Sequence, residues 1–470
     1  MTAAPADDPA DVRGGFSAGH FRPWVHPGCF AHEPGAPLTV DTIEAPSPPS
    51  VDPSPAAYSI PAEAHLLEQV IVHTPGPEME LVSPENREDL LFDDILFVGH
   101  ARQEHLLMCS VFEKIVGRPD TVLQIKDLLL DAFETEEAAR HSFVEKLCRS
   151  LPEQNLGAVE DELKRFSPED LQQFALTGQS ELPIRAQPVP NLMFTRDLAA
   201  VVHDHIILSH AATVARTRES IIINVILHHH PRFAPHSDTV IELPPGVTFE
   251  GGDLLVASPD TVLIGHSERT SLGAVMAIAH ELFERTPVEH VLAVDLPKRR
   301  STMHLDTVFT FASPTEVIVF PPLLETHGFG YAVHFTAADG TGRFVTDMRR
   351  NLRDVLDELI DRDLTYIPCG GTERLHQERE QWTDGANVFA AAPGAILGYE
   401  RNSRTFERLR EHDYRIVSAE SFLSYFESGQ FHPGQEKVAI QLGGTELSRG
   451  RGGPRCMTLP VSRHASPAGE

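Results

Sequence analysis

Cysteine is scarce in this chain and unpaired. Its five cysteines, Cys29, Cys109, Cys148, Cys369 and Cys456, are scattered, odd in number and without a CxxC pair. That excludes a disulfide framework or a cysteine zinc site as the organising device, and it fits a reducing cytosol. Positive charge is also short: 39 lysines and arginines face 68 acids, for a formal net charge of -29. Nucleic acid and anionic lipid both need a basic face, so neither is expected as a partner. The negative field attracts cationic ligands instead. No apolar run approaches the roughly 20 residues that cross a bilayer. The N-terminus, MTAAPADDPADVRGG, has no basic stretch leading into an apolar one. A secretory signal is therefore not expected, and a cytoplasmic location is. No GxxxxGK[ST] phosphate loop is present; GGTE at 370–373 and 443–446 is a weak nucleotide signal.

What is there suits an enzyme. The 470 residues are 41% hydrophobic and 23% charged, enough for a substantial core. Residues 1–63 stand apart. They are rich in Pro, Ala, Ser and Asp, as in EAPSPPSVDPSPAA, and such a stretch buries little. It reads as a disordered tail, with order beginning near His65 and a catalytic domain over 64–470. LEQVIVHTP reads as a strand ended by a Pro/Gly turn. From 89 to 178 apolar residues recur at three- and four-residue spacing, which predicts a helical subdomain. TVLQIKDLLLDAF belongs to it. Ser167-Pro168-Glu169-Asp170 is a helix start, with a capping Ser, Pro at the first position and acids in the first turn. After Ser180 short β-rich runs (DHIILSH, DTVLIGH, HVLAVDL, ANVFAAAPGAILGY, KVAIQLGG) alternate with helical ones such as SLGAVMAIAHELFER. That texture is a mixed α/β body. Strand-strand-helix-strand units can recur in it without a sequence repeat. The run LHHHP (227–231) is read as strand and so as no metal site, since successive histidines on a strand alternate faces.

Four polar segments lie beside strands or in Gly-rich turns: PNLMFTRD (190–197), FEGGD (249–253), MHLDTVFT (303–310) and RGRGGPRCM (449–457). Cys456 follows a flexible, basic stretch. Nearby arginines lower a thiol pKa, and glycines allow close approach to a ligand. By itself this is either an activated nucleophile or a loop cysteine beside a solvated turn. Cys369 lies in a Gly turn, PCGGT, without the basic setting; Cys109 and Cys148 sit on helical patterns as core residues. His304 and Asp306, two apart on an extended segment, would share a face. They are either a proton-transfer pair or a structural network. Glu250, Asp253 and Asp197 are acids close to apolar runs. Held in a partly closed site, carboxylates need a cation, and a guanidinium binds them in paired planar hydrogen bonds.

Together these segments resemble arginine deiminase, of the guanidino-group-modifying superfamily, from about His65 to Arg463. PNLMFTRD, FEGGD with SERTS, MHLDTVFT, QWTDGANVFAAAPG and RGGPRCM agree in order and spacing. The resemblance implies a fold, a five-bladed α/β propeller (pentein fold) with a helical bundle inserted after the first module. It also implies hydrolysis of free L-arginine to citrulline and ammonia without metal or organic cofactor. By similarity Cys456 is the nucleophile and His304 the acid and base. Asp197 and Asp306 grip the guanidinium, and Glu250 holds the substrate and orients His304. Asn191, Arg216, Arg269 and Arg451 match positions that bind the amino-acid end or shape the pocket, with Asp253 supporting them. The alternatives are an amidinotransferase, a hydrolase of an arginine analogue, and an inactive arginine-binding protein. A homo-oligomer stays open.

Overall fold

The computed structural model describes residues 57–151, 157–182, 184, 186–325, 329–338, 343–349, 351–360, 362–425 and 436–464. Most of the expected tail, residues 1–56, lies outside them. Its last seven residues do not behave as a tail. Ala57, Tyr58, Ile60, Ala62 and Glu63 are buried. Ser59 and Ile60 donate their backbone N–H groups to Val461 and His203, both at 2.9 Å. The packed body thus begins before His65.

Among the described residues the body is mixed α/β, with five sheets. Each contains an antiparallel strand pair and a parallel third strand. Ala199–Val202 and His205–Leu208 form such a pair, and Val240–Ile241 joins in parallel after the helix Thr217–His229. Leu254–Ser258 and Thr261–His266 repeat this with the helix Leu272–Arg285 and the strand His290–Asp295. Phe309–Ser313 and Glu316–Val319 repeat it with Leu352–Leu359 and Thr365–Pro368. Phe389–Ala392 and Ala395–Tyr399 open a four-stranded sheet, in which Val438–Leu442 and Arg415–Ser418 are parallel. In the remaining sheet the last strand, Leu459–His464, pairs antiparallel with the first, Leu66–Val72, and Val122–Gln124 joins in parallel. Ends and beginning of the body are thus stitched together.

The helices are made by apolar spacing. In Leu272–Arg285 the buried residues are Ala274, Val275, Ile278, Ala279, Leu282 and Phe283, one stripe facing the core. Each large side chain so buried contributes about 1.5–3 kcal/mol. Ser271 caps this helix by accepting the Ala274 N–H. Ser167 does the same for Asp170, at 3.1 Å, as its sequence context predicts. Between the Leu66–Val72 strand and the Ala199 strand stand the helices Val98–Val116, Ile125–Thr135, Glu137–Ser150, Gly157–Leu163 and Pro168–Thr177. The stretch TVLQIKDLLLDAF is not helical throughout: Val122–Gln124 is a strand, because it finds a parallel edge at Val70–Val72. The LHHHP histidines also differ from expectation. His228 and His229 end the helix Thr217–His229 rather than lying on a strand. Among the described residues no helix is long and apolar enough to cross a membrane.

Candidate active site

One local feature positions the chemistry. Immediately before the opening strand of each sheet unit the chain makes a short turn, and a polar residue sits in or beside it. Asp197 lies in the 3-10 turn Thr195–Leu198, before Ala199. Glu250 leads into Gly251–Asp253, before Leu254. His304 leads into Leu305–Thr307, before Phe309. Asn387 precedes Phe389, and Cys456 precedes Leu459. Apolar strands beneath anchor each turn while its polar residue projects from their ends. The expected extended geometry at His304–Asp306 is therefore a 3-10 turn. His304 bonds other acids: its Nε2 lies 2.9 Å from Glu250 Oε2, and its Nδ1 3.6 Å from Asp197 Oδ1. Gly252 makes this convergence possible, since a Cβ there would lie 2.7 Å from His304 Nδ1 and 3.0 Å from Asp197 Oδ1.

Asn191, Asp197, Arg216, Glu250, Arg269, His304, Arg451 and Cys456 line one cavity, with Leu91, Phe194, Arg300, Met303, Thr307 and Gly450. Its volume is about 30 Å³, well below the roughly 300 Å³ or more of an ordinary ligand pocket. Arg216 is a reason it is so small. Its Nη1 lies 2.6 Å from Asp197 Oδ2 and 3.6 Å from Glu250 Oε2, and its Nε 2.7 Å from Glu219 Oε2. Arg269 Nη1 lies 3.4 Å from Glu250 Oε1. An internal guanidinium thus already occupies the carboxylates expected to grip a substrate guanidinium. Asp197, Glu250 and His304 are close enough to be considered as metal ligands. Arg216 neutralises the two acids, and both imidazole nitrogens face carboxylates, so the cluster is an ion-pair network.

Electrostatics assign states to these groups. Burial alone would lower the His304 pKa, but the charge of Asp197, the hydrogen bond to Glu250 and the charge of Asp253 raise it to about 9. His304 is therefore an imidazolium at neutral pH, able to donate a proton. For Glu250 burial opposes ionisation, and the His304 hydrogen bond with the charges of Arg216, His304 and Arg269 overcome it, leaving a carboxylate. The Cys456 thiol is pushed well above its ordinary value by burial, then by Asp306, Asp197 and Asp384. This overturns the expected activation by neighbouring arginines. Those arginines have other partners. Arg449 binds Asp94 and Glu446. Arg451 lies 3.3 Å over the Trp382 ring. Arg455 binds Asp306 and Glu63.

Two predicted residues stand off the cavity wall. Asp253 is fully buried; its Oδ1 accepts the Leu305 N–H at 2.9 Å and its Oδ2 the Ser267 hydroxyl at 2.6 Å. It braces the His304 turn instead of facing a ligand. Asp306 is also fully buried, with Oδ2 2.8 Å from Arg455 Nη1 and Oδ1 lacking a partner. Asn191 donates to the Leu90 carbonyl at 2.8 Å, tying the wall to the loop before Val98.

Sequence reasoning missed Asn387, Glu219, Trp382, Arg455 and Glu63. Asn387 is fully buried and clasps two site turns: its Nδ2 donates to the Asp306 carbonyl at 3.0 Å, and its Oδ1 accepts the Cys456 N–H at 3.2 Å. Asn387 and Trp382 both belong to QWTDGANV, so the motif was visible although their contacts were not. A larger open cavity of about 760 Å³ runs between the helix Arg374–Trp382 and Arg401–Arg404. Its wall is mostly exposed and carries no thiol. Glu380, its buried acid, is engaged by Arg404 and Thr405.

Comparison with known proteins adds the family. The arginine deiminase family profile matches residues 153–463. The chain is 35% identical over 432 residues to the arginine deiminase of Listeria monocytogenes serovar 1/2a, covering 87% of this chain and 98% of that one. It is 32% identical over 434 residues to that of Limosilactobacillus reuteri, covering 86% and 97%. Among solved structures, the amidinotransferase SxtG from Microseira wollei is similar with a TM-score of 0.49 and 13% identity, over 87% of this chain and 98% of that one.

Proposed function

The chain belongs to the arginine deiminase family, and from that premise we propose that it hydrolyses L-arginine to L-citrulline and ammonia at Cys456. One observation carries the reading: a thiol, an imidazolium and carboxylates converge on one buried cavity in which a guanidinium is already bound. Arg216 shows that Asp197 and Glu250 accept a guanidinium there. A substrate guanidinium would displace it from Asp197, and the freed Arg216, with Arg269, would be available to the substrate α-carboxylate. Asn191 and Arg451 would complete the pocket.

Among these carboxylates the thiol keeps its proton at neutral pH. A substrate cation next to it would offset the fields of Asp306 and Asp197 and favour the thiolate. Cys456 Sγ then attacks the guanidinium carbon. One C–N bond breaks, and the departing nitrogen takes the His304 proton and leaves as ammonia. The amidino group stays on sulfur. Water adds to its carbon, giving a proton to His304, and the C–S bond breaks to release citrulline and the thiolate. The same reading takes the five sheets as blades about a pseudo-fivefold axis. The helices from Ile125 to Thr177, which follow the parallel strand Val122–Gln124 of the first sheet, are then an insertion. The catalytic domain, expected over 64–470, then also takes in the packed residues 57–63, and the location is cytoplasmic. The five lead-in turns meeting at one place support that arrangement.

Purified protein is expected to release citrulline and ammonia in equal amounts from L-arginine, and Cys456→Ala to release neither. Amidino transfer to an added amine would favour the transferase. Arginine bound but unchanged would point to an inactive binder, and turnover of an arginine analogue alone would move the substrate.

A further inference from the structure

Arg455, beside the nucleophile, is 1% exposed, yet its side chain turns away from the cavity. Its Nη1 lies 2.8 Å from Asp306 Oδ2, its Nη2 2.7 Å from Glu63 Oε1, and its Nε 3.3 Å from Glu63 Oε2. Nη2 also donates to the Leu254 carbonyl at 2.9 Å. One planar fork therefore joins two carboxylates from chain segments far apart. Glu63 is fixed in turn, since its backbone N–H donates to the Val256 carbonyl at 2.8 Å and Arg196 Nη1 lies 3.8 Å from its Oε1.

The consequence for Asp306 is geometric. The fork takes Oδ2 only, and Oδ1 is left buried without a partner. A buried carboxylate oxygen with an unmet hydrogen bond is costly, so it stands ready for a donor. Were Glu63 absent, the guanidinium would be free to close on both oxygens of Asp306, the favoured bidentate geometry. It would also carry a positive charge that Glu63 no longer balances, next to Asp306, whose own field acts on the thiol.

We propose that Glu63, through Arg455, is a positioning residue that keeps Asp306 Oδ1 open to the substrate cation and keeps the nucleophile's surroundings negative. This makes the segment ahead of the first strand part of the catalytic machinery. The proposal rests on Cys456 acting as described under Proposed function and on Asp306 Oδ1, unpartnered in the protein, meeting the substrate guanidinium as the family resemblance implies.

The test compares alkylation of Cys456 in the full chain by chloroacetamidine, a cation shaped like part of the guanidinium, and by neutral chloroacetamide. Arginine kcat and KM are measured beside it. In wild type the cation should react faster. In Glu63→Gln that preference should fall at least about tenfold, and kcat/KM by about 10²-fold, as for a misplaced catalytic group. Glu63→Asp retains the charge, so it keeps the fold if Glu63→Gln does not, and should lie between them. A purely structural Glu63 would lower the melting temperature and leave the cation preference unchanged, which overturns the proposal. A wild type with no cation preference and no arginine turnover would instead overturn the underlying reading.

Discussion

His304 holds its proton because two acids face its two nitrogens. Burial works against the charge, and Asp197 and Glu250 outweigh it, lifting the pKa to about 9. The alkaline limb of kcat/KM should therefore lie near that value. In Glu250→Gln the hydrogen bond and charge that hold the proton are weakened, and the limb should move acidward by about one unit or more, read from the pH–rate profile. A limb that stays in place would detach Glu250 from the protonation of His304. Stability follows the same sign. A raised folded pKa means that the contribution of His304 is complete below its unfolded value of 6.5 and is lost as pH rises through about 9. Glu250, held below 4.5, contributes above that value and loses the contribution as pH falls through its depressed pKa. Melting temperatures should decline at both ends.

At the scale of the element, the lead-in turns decide whether the side chains meet. Asn387 fastens two of them, at Asp306 and Cys456. Asn387→Ala strands a buried carbonyl and a buried N–H, costing about 1–3 kcal/mol each unless water replaces the amide. Activity should fall by a larger factor than stability alone explains, with kcat more affected than KM; equal loss in both would make Asn387 only a brace. Not every element was legible from its own residues. Pro168–Thr177 was, because Ser-Pro-Glu-Asp carries its own capping chemistry. Val122–Gln124 was not, because a three-residue strand depends on a partner some 50 residues earlier, Val70–Val72. The His-rich run was misread because the preceding IIINVIL, apolar but for Asn224, suits a strand and a buried helix alike.

For the whole molecule, the charge of -29 should matter to encounter with a cation. Raising ionic strength from about 0.01 to 0.15 M shortens the screening length roughly fourfold. kcat/KM for arginine should fall over that range, while inhibition by neutral citrulline stays nearly constant. Parallel changes would exclude steering.

The residue types and their order were determined by the sequence alone. A thiol, an imidazole and acids in five spaced motifs are chemical identities that folding does not alter; taken singly they left structural roles open, and it was the resemblance of the ordered motifs to a known family that implied the reaction class. Their states and partners were decided only by the tertiary structure. Glu63, read as tail, meets Arg455 across 392 positions. Arg216 fills the site by meeting acids brought from other turns. Cys456, beside arginines in sequence, sits among carboxylates in space and keeps its proton. A pKa depends on burial and on charges within a few ångströms, and those distances exist only once distant segments have packed together.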